Sequence, residues 1–103
     1  MVKRVIWSKK AIGELYHTMG YLRSEISVNS SEKFFNLVEK HIEEIQKHPT
    51  KGRPVPNRKT IRFVLVGKNH RLYYRPHGSV LFITTLFDTR QDVSKRPYSQ
   101  FNP

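Results

Sequence analysis

The stretch that most constrains this 103-residue chain is 61–90, IRFVLVGKNHRLYYRPHGSVLFITTLFDTR. It reads as three β-branched and aromatic runs, 61–66, 70–75 and 80–87, broken by turn signals at Gly67-Lys68 and His77-Gly78. Two-residue loops would pair Val66 with Asn69, Val64 with Arg71 and Arg62 with Tyr73. In the second hairpin, Arg75 would meet Val80, Tyr73 would meet Phe82 and Arg71 would meet Thr84. Side chains alternate faces along a strand, so this register sorts the whole meander. One face collects Ile61, Phe63, Leu65, Leu72, Tyr74, Leu81, Ile83 and Phe87 as a core. The other presents Arg62, Arg71, Tyr73, Arg75, Val80, Phe82 and Thr84. A slip of one residue would carry arginine into the core, so the pattern favours this register and marks the basic, aromatic face as the place for function.

The first half of the chain supplies what covers the core. Residues 3–7 (KRVIW) read as a short strand with Val5 and Trp7 on one side, and Ser8 stands as a helix N-cap. Ala11, Ile12, Leu15, Tyr16, Met19, Leu22 and Ile26 recur at helical spacing. After a polar loop at 27–31, a second helix is predicted from near Asn29 or Ser30, with Phe34, Phe35, Val38, Ile42 and Ile45 on one face and Pro49 as its stop. Residues 50–60 read as a basic Pro/Gly loop, and the sequence leaves the position of the first strand open. The predicted fold is therefore α+β in the order β-α-α-β-β-β, a helical hairpin on one face of a small antiparallel sheet. Trp7, Leu15, Phe34, Val38, Ile42, Phe63, Leu72, Tyr74 and Ile83 are expected inside. The whole chain, 1–103, reads as one domain, with 96–103 as a fraying tail.

Nineteen Lys plus Arg against eight Asp plus Glu give a net charge of +11, which points to a polyanionic or acidic partner. The absence of cysteine removes disulfide frameworks, thiolate zinc sites and cysteine nucleophiles. No apolar run is long enough to span a membrane, and the N-terminus turns polar too soon for a secretory signal, so a cytoplasmic protein is expected. The five histidines lack metal-ligand spacing and no Gly-rich phosphate loop is present, so neither metal nor cofactor is predicted.

What remains for chemistry is cationic and phenolic. Arg71 sits mid-strand with Arg62 and Arg75 near it, and Arg90, Lys59 and Tyr98 are within reach in principle. Guanidinium forks bind phosphate and would stabilise a phosphorane. Lys59 or Tyr98 would serve as general base for a metal-free RNA cleavage through the 2′-hydroxyl, with Tyr73 and Phe82 stacking bases. Ordinary solvated arginines would give the same pattern without any activity.

The order of elements, the helix ending IEEIQKHPTKGRPV, the central GKNHRLYYR and the terminal FITTLFDTRQDVSKR are similar to the RelE/ParE superfamily of bacterial type II toxins, over roughly residues 3–96. That resemblance implies a small basic toxin held in a hetero-oligomer by a cognate acidic antitoxin. RelE-like members cut messenger RNA on the ribosome, whereas ParE-like members poison DNA gyrase. Carried across, the strand-motif arginine falls on Arg71, preceded here by His70, and the arginine after the last strand falls on Arg90. A further basic residue falls near Arg62 or Lys59. The C-terminal tyrosine has Tyr98 as a counterpart two positions late. The FDTRQD ending favours the ParE-like branch, in which Arg75, Tyr73, Arg90, Lys95 and Arg96 would bind the target. The alternative is a RelE-like mRNA endonuclease using Arg71, Arg90, Arg62, Lys59 and Tyr98.

Overall fold

The computed structural model describes residues 3–98. Strand β1 (Arg4–Trp7) leads into helices α1 (Lys9–Glu25) and α2 (Val28–Lys47). Four strands follow, β2 (Arg53–Val55), β3 (Arg58–Val66), β4 (His70–His77) and β5 (Val80–Asp88), then a 3-10 turn at Val93–Lys95. The sheet order is β1-β5-β4-β3-β2. The helical hairpin covers one face of the sheet, as expected. β1 settles at the edge beside β5 and runs parallel to it, so the sheet is mixed rather than wholly antiparallel. The predicted loop at 50–60 contains β2, which pairs antiparallel with β3. Pro54 is tolerated there because β2 is an edge strand.

Caps fix the helices. The Ser8 hydroxyl accepts from the Ala11 N–H at 3.0 Å and donates to the Thr84 carbonyl at 2.8 Å, so one residue starts α1 and ties it to β5. α2 begins earlier than predicted, because Ser27 is its cap and accepts from Ser30 N at 3.0 Å. Only part of the predicted α1 face is covered. Ala11 and Leu15 are buried, while Ile12, Tyr16 and Ile26 are exposed.

The register departs from the sequence reading in three places, each with a consequence for the site. The first hairpin closes with a three-residue loop, pairing Val66 with His70, Val64 with Leu72 and Arg62 with Tyr74. That one-residue shift turns every side chain of β3 over. Val64 and Val66 join the core under the helices, whereas Ile61, Phe63 and Leu65 leave it. Arg62 does turn to the helix side, and it is satisfied there at the rim, donating to the carbonyls of Thr50 (3.2 Å) and Gly52 (2.8 Å). The second hairpin turns at Gly78-Ser79 and pairs His77 with Val80, a shift of two that preserves the inward faces of Leu81 and Ile83. A β-bulge then leaves Thr84 without a partner on β4, so Leu86 points inward and Phe87 outward.

The sheet therefore has two apolar faces. The main core comprises Ala11, Leu15, Val38, Ile42, Ile45, Leu72, Tyr74 and their neighbours, with Trp7 and Phe34 packed at its margin. Val55, Ile61, Tyr73 and Phe87 form a smaller cluster on the far face, flanked by Phe63 and Tyr98. A mid-helix carboxylate also couples the layers. Glu14 accepts from the Thr85 hydroxyl (2.8 Å), the Leu86 N–H (2.9 Å) and the Lys10 ammonium (2.8 Å). Sequence periodicity gives no hint of this role.

Candidate functional site

The open face of the sheet carries a cleft of about 440 Å3. Its floor is Tyr73, which is 1% exposed and therefore packed rather than offered for stacking. Phe63 lies on one side of it, with ring centroids 5.5 Å apart, and Tyr98 on the other at 5.3 Å. Tyr98 reaches this place because residues 96–98 fold back over the sheet; its φ is +58°, and its hydroxyl donates to Thr84 Oγ1 at 2.9 Å. The rest of the predicted fraying tail, 99–103, lies outside the described residues.

Arg71 lies over the Phe63 ring, its guanidinium carbon 4.5 Å from the ring centroid. Its Nη1 is 3.4 Å from the Tyr73 hydroxyl, and among the described residues its buried Nε meets no acceptor. Arg53 and Arg96 complete the charged lining, and Pro54, Pro56 and Pro97 stiffen the walls. Among the described residues no Asp or Glu lines the cleft. The arrangement suits an anion with a flat apolar part, because guanidinium offers both N–H donors and a stacking surface.

The sequence-predicted residues divide. Arg71, Tyr73, Tyr98 and Arg96 come together in the cleft. Arg62 is on the opposite face, bound to the turn before β2. Arg90 is held by Asp88, through Nε–Oδ1 at 3.1 Å and Nη2–Oδ2 at 2.8 Å. Asp88 pairs across the sheet with His70, away from Arg71. Arg75 shares the open face but lies over Phe82, 4.7 Å from its centroid and four residues along the strand from Arg71. Lys59 and Lys95 are exposed and outside the cleft lining. Sequence reasoning missed Arg53 and the proline wall. The signal was Val55-Pro56-Asn57-Arg58, a two-residue turn in which Asn57 takes φ +65°.

Beneath the other face, His70 is buried against Phe34, with ring centroids 4.9 Å apart, and its Nε2 has no acceptor among the described residues. Burial pushes the imidazole below its ordinary value of 6.5, and Asp88 offsets part of that shift. Between the folded and unfolded values the unfolded chain binds the extra proton, so acid favours unfolding. Stability is expected to fall as pH drops below about 6.5, the unfolded histidine's value. Denaturation midpoints of His70→Phe should stay flatter than wild type over that window. Asp88, whose pKa Arg90 holds below 3.8, loses its contribution only at more acid pH.

Among the described residues no group of three or more His, Asp or Glu is placed to hold a metal, and no helix is long and apolar enough to cross a membrane. Residues 5–93 match the family model for the ParE toxin of the type II toxin–antitoxin system parDE. The chain belongs to the ParE toxin family. No curated protein sequence matches it. Among the solved structures that share the fold are two of low sequence identity. One is described as the chromosomal ParDE TA system from P. aeruginosa, with TM-score 0.72 and 14% identity, covering 86% of this chain and 98% of that one. The other is described as a YoeB/ParE toxin from Agrobacterium tumefaciens, with TM-score 0.61 and 13% identity, covering 82% and 96%.

Proposed function

We propose that this ParE-family toxin arrests growth by poisoning DNA gyrase and is neutralised by a cognate acidic antitoxin. The observation that carries the reading is the dispersal of the groups a metal-free ribonuclease needs. Arg71 and Tyr98 share the cleft, but Arg62 is on the other face and Arg90 is in a bidentate pair with Asp88. Of the two candidate general bases, Lys59 is outside the cleft lining, and the Tyr98 hydroxyl donates its proton to Thr84. General-base catalysis requires hydrogen-bond reach to the substrate hydroxyl and a place for the proton. A RelE-like nuclease would have to rebuild this arrangement on the ribosome, whereas a gyrase poison needs only a surface that holds an enzyme–DNA complex.

The antitoxin reading is supported by charge and by unpartnered apolar surface. The chain carries +11, and Tyr16 and Ile26 on the helical hairpin are 68% and 63% exposed. An acidic segment folding over the toxin would bury such residues and pair with its cations. The test is induction of the toxin in a bacterium carrying a DNA-damage reporter, with and without a short acidic reading frame sought beside it. The expected result is growth arrest with reporter induction, both abolished by co-expression of that reading frame. Arrest with cut messenger RNA and a silent reporter would support the nuclease instead.

A further inference from the structure

The open-face cleft has a lining that the poisoning activity alone does not account for. Surface contact with an acidic partner would be served by scattered lysines. Here three arginines line one concave site of about 440 Å3 with no carboxylate among its lining residues, and proline and aromatic side chains make up much of the rest. That volume lies within the roughly 300–1,000 Å3 of small-ligand sites. The groove beside α1, by contrast, contains Glu14 and Asp88.

We propose that this cleft holds one unstacked nucleotide of single-stranded DNA, with the base against the outer face of the Arg71 guanidinium and the Tyr98 ring, and the flanking phosphates on Arg53 and Arg96. The Arg71 guanidinium carbon already lies 4.5 Å from the Phe63 ring centroid, and the side chain lines the cleft. A base stacking on it would therefore cost little further side-chain freedom. Bases stack on aromatic and guanidinium planes irrespective of sequence, while the phosphates supply charge. An acidic peptide would use the guanidinium edges but leave these flat surfaces unmatched. The site deepens the gyrase reading, because a strand opened at the enzyme's cleavage site would supply such a nucleotide. Binding itself is separable from poisoning and requires no gyrase.

The experiment is fluorescence anisotropy of the purified chain with a labelled thymidylate octamer, repeated with a uridylate octamer and an oligoglutamate peptide. Variants are Arg53→Ala, Arg71→Ala, Arg71→Lys and Tyr98→Leu, with Arg23→Ala on α1 as a basic control, each checked for folding by circular dichroism. The thymidylate octamer should bind, and Tyr98→Leu should weaken it about tenfold or more. Each lost phosphate contact should flatten the logarithmic salt dependence by about 0.7. Arg71→Lys keeps the charge but not the stacking plane, so it should weaken binding with the salt slope retained. Arg53→Ala lies at an exposed edge and gives a reading even if the Arg71 variants prove unstable. Cleft variants that bind as tightly as wild type would overturn the proposal, as would binding of uridylate or oligoglutamate with none of thymidylate. Octamer binding without gyrase poisoning would leave the site standing and sink the gyrase reading.

Discussion

Replacing Tyr74 with alanine is expected to lower stability by about 3–5 kcal/mol, the range for removing a buried aromatic side chain. Tyr74 is fully buried, and its hydroxyl donates to the Pro49 carbonyl at 2.7 Å and accepts from Gly52 N at 2.9 Å. It therefore holds the turn that follows α2 and delivers β2 to the sheet edge. Gly52 has no room for a side chain there, since a Cβ would lie 2.5 Å from the Tyr74 hydroxyl oxygen and 2.9 Å from the Phe63 carbonyl oxygen. Tyr74→Phe isolates the hydroxyl's share. It strands a buried N–H and a carbonyl, at about 1–3 kcal/mol. Denaturant unfolding measures both variants, and a Tyr74→Phe midpoint equal to wild type would show that the hydroxyl does not anchor this turn. Because the turn sets the position of Arg53, a folded Tyr74→Phe should also bind DNA more weakly.

Neutralising the tail with Lys95→Ala and Arg96→Ala together is expected to reduce gyrase poisoning on the order of a hundredfold. Hydrogen bonds to charged groups contribute about 1.5–3 kcal/mol each, and about 1.4 kcal/mol is a factor of ten. Arg71→Ala should cost about tenfold, since one guanidinium leaves the same cleft. The sequence alone set Arg71 and the tail apart, as marks of two rival mechanisms. The fold joins Arg71 and Arg96 in one lining, so their losses should act in the same assay. Circular dichroism establishes that each variant is folded. Full activity in the tail variant, with none in Arg71→Ala, would contradict this account of the surface.

The architecture was legible because helical spacing, the Ser8 cap and the breaks between the three strand runs marked the elements and their order. The register of β3 was not, and the reason is physical. In IRFVLV only Arg62 is polar, so either face can be packed against an apolar layer. Alternation specifies register only where one face must meet water. Here Ile61 and Phe63 cluster with Val55, Tyr73, Phe87 and Tyr98 on the second face, and Arg62 finds backbone carbonyls at the rim of the first. The bulge at Thr84 was equally hidden, because Glu14, which bonds the strand just beyond it, lies 72 residues before Leu86 in the chain. Of the site, Arg71 and its aromatic neighbours could be read from one strand. Arg53 could not, because a three-residue edge strand within a Pro/Gly-rich segment looks like a loop.

Gyrase poisoning is read out with purified toxin, gyrase, ATP and supercoiled plasmid, stopped with detergent and protease. Linear plasmid should accumulate with toxin concentration, dependent on gyrase and abolished by a cognate antitoxin. No linear product from folded toxin, alongside messenger RNA cut within ribosome-occupied codons in a parallel translation reaction, would contradict the gyrase reading.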